Sequence, residues 1–162
     1  MSSSDAAAVA VSIVVPVRNE AENVSPLIAE IAAALEGRWA YEIIYVNDGS
    51  TDATAERLAA VMKQRGNLRQ IRHATSSGQS AAVRSGVRAA RGAIVATLDG
   101  DGQNDPMFLP DLISAIENGG EGVGLAAGQL KPRVSICRLL NQPRWPFPSL
   151  SPCATKPRMQ PR

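Results

Sequence analysis

Ala93-Ile94-Val95-Ala96-Thr97-Leu98-Asp99-Gly100-Asp101-Gly102-Gln103-Asn104-Asp105-Pro106 is the stretch that decides the fold. Its first six residues are apolar or β-branched and read as a buried strand. Two carboxylates one residue apart follow directly, so they stand where that strand ends. Such an oxygen-rich pair suits a hard divalent cation, Mg²⁺ or Mn²⁺, that is itself holding phosphates. Gly100 and Gly102 let the chain turn sharply, and Gln103 adds a neutral oxygen. Asp105 with Pro106 behind it reads as the cap and first position of a helix. That role leaves Asp99 and Asp101 uncommitted.

Of two other uses of a D-x-D pair, one fails on position and the other fits it poorly. An EF-hand loop needs Gly sixth and Glu twelfth; counted from Asp99, Asn104 and Pro110 stand there. A haloacid-dehalogenase-type phosphatase carries its pair on the first strand, followed by Thr or Val. Here the pair comes late, and Gln103 takes that place.

Outward from this stretch the chain alternates two periodicities. Residues 12–17, 42–46, 68–72 and 94–98 are short apolar or β-branched runs, and 122–127 begins a fifth. Between them, 22–35 places Val24, Leu27, Ile28, Ile31 and Leu35 on one helical face. A helix after Asp52 turns Ala55, Leu58, Ala59 and Met62 inward. An Ala-rich helix spans 79–90, and 106–118 aligns Leu109, Leu112, Ile113 and Ile116. This alternation predicts an α/β three-layer sandwich, Rossmann-like, with a mostly parallel sheet and right-handed crossovers. Ligands of such sheets sit beyond the carboxyl ends of the strands. Residues 16–20, 47–52 and 99–103 all fall there, so three polar segments converge on one edge.

Length and composition bound the rest. A chain of 162 residues makes one domain. Hydrophobic content is 44% and aromatic content 4%, so the core is built from Ala, Val, Ile and Leu. The net charge of +2 misleads, because residues 131–162 hold seven basic residues and no acidic one. The preceding body is acidic, which argues against a nucleic-acid-binding surface. Cys137 and Cys153 both lie late, so no disulfide framework or thiolate metal site holds the body. The start, Met-Ser-Ser-Ser-Asp, lacks a basic n-region, and 6–17 does not read as a secretory leader. No run reaches the roughly 18 apolar residues that span a bilayer. The expected compartment is the cytoplasm, with any membrane contact peripheral. Seven of the eleven prolines fall after Gln129, so 130–162 is expected to be disordered, with Trp145 and Phe147 poorly buried.

Three motifs resemble a family. Val14-Val15-Pro16-Val17-Arg18-Asn19-Glu20, Val46-Asn47-Asp48-Gly49-Ser50-Thr51-Asp52 and 98–106 together are similar to family 2 glycosyltransferases of the GT-A fold. The D-G-D-x-Q-N-D-P form, with Ser77-Gly78-Gln79-Ser80-Ala81-Ala82, is closest to dolichol-phosphate mannosyltransferases and bacterial polyprenyl-phosphate sugar transferases. The resemblance implies that Pro16, Asn19, Glu20 and Gln79 line the nucleotide-sugar pocket. It implies that Asp48 binds the base with Asp52 nearby, and that Asp99, Asp101 and Gln103 hold the metal and diphosphate. The implied reaction is inverting, metal-dependent transfer of a hexose, mannose first, from GDP-mannose or UDP-glucose to a polyprenyl phosphate. An acceptor that is already anionic needs little general-base help.

Each position also has a plain structural reading. Pro16 can mark a strand end, Glu20 favour a helix N-terminus, Asp48 form a turn with Gly49, Asp52 cap a helix and Gln103 stand exposed. Arg84, Arg88 and Arg91 read as a solvated helix face, and His73 receives no role. The resemblance covers 12–129, after an N-terminal tail of 1–11, and stops at about Leu130. The acid-free ending resembles a shifted reading frame, leaving a fold incomplete at its C-terminus. On that reading the donor half is present and transfer is weak or absent. A non-catalytic nucleotide-sugar-binding fragment and a transferase with a polysaccharide or glycan acceptor therefore stay open.

Overall fold

A computed structural model describes residues 8–119, 125–127 and 135–138. The elements run β1 (Val11–Val17), α1 (Val24–Leu35), β2 (Tyr41–Asp48), α2 (Thr54–Met62), β3 (Leu68–His73), α3 (Gln79–Ala89) and β4 (Ile94–Thr97). A 3-10 turn at Pro106–Phe108 leads into α4 (Leu109–Asn118), and β5 (Leu125–Ala127) and β6 (Ser135–Arg138) follow. The sheet order is β3-β2-β1-β4-β6-β5. The first four strands are parallel, and β6 is antiparallel to both β4 and β5.

The central apolar runs, β1, β2 and β4, are covered on both faces. All seven residues of β1 are buried, the pattern of a central parallel strand. Val11, Ile13, Val15 and Val17 join Ile43, Tyr45 and the inward faces of α1, α2 and α4 in the larger core. Val14, Ile44, Val46 and Val95 meet Ala82 of α3 in the smaller one. Helices on both faces make the expected three-layer sandwich.

The expected helical faces hold, with one exception. Val24, Leu27, Ile28, Ile31 and Leu35 are buried, as are Leu109, Ile113 and Ile116. In α2 the buried positions are Thr54 and Leu58, while Ala59 is exposed. Thr54 is drawn inward because its hydroxyl is needed there, as described below. The last helix opens as a 3-10 turn, and Asp105 caps it by accepting the Met107 N–H at 2.9 Å.

The C-terminal expectation needs correction over one segment. Residues 135–138, expected to be disordered, form β6 and pair with β4 from Ile94–Arg138 to Thr97–Ser135. A four-residue strand gives little sequence signal of its own; β4's open edge supplies its hydrogen bonds. Trp145, Phe147 and Cys153 lie outside the described residues.

Pro16 shows how the sheet opens a site. A proline in a central strand removes a ladder hydrogen bond. The Val14 carbonyl accepts the Leu98 N–H at 3.1 Å, so even positions of β1 direct their backbone groups toward β4. Pro16 faces the same way, but the last β1–β4 pair is Val14–Thr97. Its absent N–H therefore falls where β4 has already diverged. The chain crosses from α1 and α2 on one face to α3 on the other between these same strands. This is the topological switch point, where α/β sheets bind ligands.

Candidate active site

Four loops meet at that crevice. Two of them, β1–α1 and β2–α2, are fastened to each other by side chains. Asn19 adopts φ +58°, and its Oδ1 accepts the Thr51 N–H at 2.9 Å. The Asn19 N–H donates to Ser50 Oγ at 3.0 Å, and the Glu20 N–H to Thr54 Oγ1 at 3.0 Å. Asp52 accepts the Ala21 N–H at 3.3 Å and the Thr54 N–H at 3.0 Å. Its bonds to Thr54, foremost the hydroxyl, hold the Asp52 carboxyl below the usual range. Asn19 and Asp52 thus serve as fasteners, and neither lines the cleft.

The third loop, β3–α3, is held by Asp48. This carboxylate is only 4% exposed. It accepts Ser76 Oγ–H at 2.8 Å, the Ser77 N–H at 2.9 Å and the Gly78 N–H at 2.9 Å. His73 Nδ1 lies 2.7 Å from Asp48 Oδ1. Burial pushes the Asp48 carboxyl up, but the bonds from Ser77, His73, Ser76 and Gly78 outweigh it and hold it well below the usual range. Gly49 makes the approach feasible: a Cβ there would sit 2.6 Å from the Ser76 nitrogen.

The fourth loop carries the aspartate pair. Gly100 packs so tightly that a Cβ would lie 2.2 Å from Val17 Cγ1 and 2.9 Å from the Pro16 carbonyl oxygen. Asp99 and Asp101 flank it on the cleft wall. Gln79 Nε2, in the first turn of α3, donates to Asp99 Oδ1 at 2.6 Å. Asp101 Oδ1 accepts the Gln103 N–H at 3.0 Å.

The result is a cleft of about 360 Å³, within the range of small-ligand sites. Pro16, Arg18, Glu20, Asp48, Gln79, Asp99 and Asp101 line it, with Ser76 and Gly78. Of the sequence candidates, Pro16, Glu20, Asp48, Gln79, Asp99 and Asp101 are brought together, while Asn19, Asp52 and Gln103 stand outside the lining. The neutral side chain on the aspartate pair is Gln79. Arg18 and Ser76 are not among the sequence candidates, and His73 received no role there. Arg18 lay inside the first motif and was legible as the cation there; Ser76 and His73 depend on a loop conformation that no local pattern encodes.

The charge balance constrains what can bind. Four lining carboxylates (Glu20, Asp48, Asp99 and Asp101) face one arginine. A phosphate-bearing ligand enters such a cleft only with countercharge. Among the described residues, no three His, Cys, Asp or Glu side chains are grouped to hold a metal. Two carboxylates with an open remainder fit a hard cation whose other ligands are phosphate oxygens and water.

The model of glycosyl transferase family 2 matches residues 12–139. The chain belongs to glycosyl transferase family 2. The family match runs ten residues past the boundary expected at Gln129 and takes in β6. Dodecaprenyl-phosphate galacturonate synthase of Rhizobium johnstonii is 39% identical over 138 residues, 83% of this chain and 40% of that protein. Dolichol-phosphate mannosyltransferase of Pyrococcus furiosus is 38% identical over 111 residues, 68% of this chain and 31% of that protein. The chain thus spans about two fifths, or less, of the length of these relatives. Glucosyl-3-phosphoglycerate synthase from Mycobacterium tuberculosis, solved with Mn²⁺, uridine diphosphate and glucosyl-3-phosphoglycerate, superposes with a TM-score of 0.58 at 27% identity. That superposition covers 72% of this chain and 42% of the other. The family 2 domain here has the GT-A architecture. No helix among its described residues is long and apolar enough to cross a membrane.

Proposed function

We propose that this chain supplies the donor site of a polyprenyl-phosphate sugar transferase, moving a hexose from a nucleoside diphosphate sugar to a lipid phosphate. The observation that carries the reading is the placement of Asp99 and Asp101 at the β1–β4 crevice, with Gln79 and Arg18 around them. The names of the galacturonate synthase and the mannosyltransferase support a polyprenyl-phosphate acceptor. The mannosyltransferase supports mannose as the sugar and GDP-mannose as the first donor to test, with UDP-glucose second.

On this reading Pro16, Glu20 and the Ser76–Gly78 backbone bound the nucleoside end, and Asp48 shapes that wall. Asp99 and Asp101 would hold Mg²⁺ or Mn²⁺, which neutralises the charge developing on the departing diphosphate. Gln79 orients Asp99, and Arg18 adds positive charge beside the phosphates. Gln103 contributes through its N–H to Asp101. The acceptor phosphate oxygen attacks the anomeric carbon as the bond to the diphosphate breaks, with inversion. Such an enzyme works at the cytoplasmic face of a membrane in peripheral contact with it.

Calorimetric titration with GDP-mannose and UDP-glucose, with and without Mn²⁺, tests the donor site. Metal-dependent binding of one donor supports it, and absence of binding by folded protein overturns it. Turnover with a short polyprenyl phosphate tests the transfer step. Binding without turnover would leave the chain a nucleotide-sugar-binding unit.

A further inference from the structure

His73, a residue that the donor chemistry does not use, bonds two partners. His73 ends β3, and its side chain is largely buried. Nδ1 lies 2.7 Å from Asp48 Oδ1, and Nε2 lies 3.0 Å from Ser85 Oγ on α3. Asp48 is an ionised acceptor, so Nδ1 is the donor. The order Ser85–His73–Asp48 has the connectivity of a nucleophilic triad. It lacks the rest of one. Ser85 lies in the interior of α3, where the surrounding N–H groups are committed to the helix. Nothing there offers the paired donors an oxyanion needs.

The same geometry has a different consequence. Asp48 sets the course of Ser76, Ser77 and Gly78 through three donors, and Ser76 and Gly78 are cleft wall. The residue after Gly78 is Gln79, whose amide holds Asp99. Besides Ser76 in the loop itself, the His73 ring bonds the Asp48 carboxylate, and it also bonds Ser85 on α3. The geometry points to His73 as the positioning residue of the donor pocket: its bond to Asp48 orients that carboxylate and so fixes the loop that joins the nucleoside wall to the aspartate pair. This rests on the donor-site reading above. It adds that His73, which stands outside the cleft lining, governs donor affinity.

The test separates the two bonds of the ring. Asparagine places an amide nitrogen near the position of Nδ1 and keeps the bond to Asp48. Glutamine reaches instead toward Ser85. Affinity for UDP and for GDP, each with Mn²⁺, is measured by calorimetry on the full chain and on His73→Ala, His73→Asn and His73→Gln. His73→Ala and His73→Gln are expected to bind at least about tenfold more weakly, and His73→Asn within about threefold of wild type. Amide hydrogen exchange at Ser77 and Gly78, without nucleotide, gives a second readout. Protection there is expected to fall about tenfold in His73→Ala and to survive in His73→Asn. A role in stability alone would lower the unfolding midpoint of all three variants and leave affinity below that temperature unchanged. Unchanged affinity and protection in His73→Ala, or equal losses in His73→Asn and His73→Gln, overturn the proposal. If wild type binds neither nucleotide, the donor reading falls and the exchange result alone decides whether His73 positions the loop.

Discussion

Gln79 Nε2 donates to Asp99 Oδ1 across 2.6 Å, joining the first turn of α3 to the end of β4. The two residues are 20 apart in sequence, and both line the cleft. This bond decides how Asp99 is presented and gives the first prediction. Asp99→Ala/Asp101→Ala is expected to lose metal-dependent nucleotide binding by about a hundredfold or more. Gln79→Leu, which removes only the orienting bond, is expected to lose about three- to tenfold. Calorimetry with and without Mn²⁺ checks both. Equal losses would show Gln79 to be a ligand contact in its own right.

Asp48 holds a loop with three donors and the His73 ring, so its removal takes the acceptor from the Ser77 and Gly78 N–H groups and from the partly buried ring. Asp48→Ala is expected to cost about 1–3 kcal/mol of stability, because the exposed loop donors can hydrate, read from urea unfolding. The acid limb gives a second check. A carboxyl whose folded-state pKa lies below its unfolded value adds stability above the unfolded pKa, about 3.9. That stability is lost as pH falls through the folded value. Wild type should therefore weaken progressively below about pH 4, with Asp48→Asn showing a shallower slope over that window.

At the opposite edge of the sheet a second buried carboxylate does comparable work without touching the cleft. Glu42 accepts Ser12 Oγ–H at 2.8 Å, Arg69 Nε–H at 2.9 Å and the Arg91 N–H at 2.8 Å. Glu42→Ala leaves Arg69 half-buried without its carboxylate. The expected cost is about 2–3 kcal/mol, less than for a fully buried pair because Arg69 can still hydrate. Nucleotide affinity should stay within about twofold of wild type. A large affinity loss in folded protein would mean that the two ends of α3 are mechanically coupled.

Gly100 has no room for a side chain against Val17 and the Pro16 carbonyl. Val17 can rotate, but the carbonyl is backbone of β1. Gly100→Ala is expected to cost about 1–3 kcal/mol and to displace the aspartate loop. Weaker Mn²⁺-dependent nucleotide binding should accompany the lower unfolding midpoint.

The fold was legible because its signals are local. Alternating strand and helix periods placed four parallel strands and four helices within a few residues of their observed bounds. The apolar faces of α1 and α4 followed from spacing alone. Ala59 was misassigned because a small residue carries little burial preference, whereas Thr54 is buried to bond the β1–α1 loop. β6 went unread because its pairing comes from the distant edge of β4.

The sequence by itself determined that this chain is an α/β domain of glycosyl transferase family 2 with its polar motifs at the carboxyl edge. Each of those features is written in residue order and period, which the chain carries before it folds. Only the tertiary structure decided which polar residues face the cleft. Asn19 and Asp52 became fasteners, the Gln79 side chain met Asp99 while Gln103 met Asp101 through its backbone N–H, and His73 joined Asp48. The bonds of Asn19, His73 and Gln79 join residues roughly 20 to 30 positions apart. Which partner lies in reach of each group is set by strand order, which residue order alone does not state.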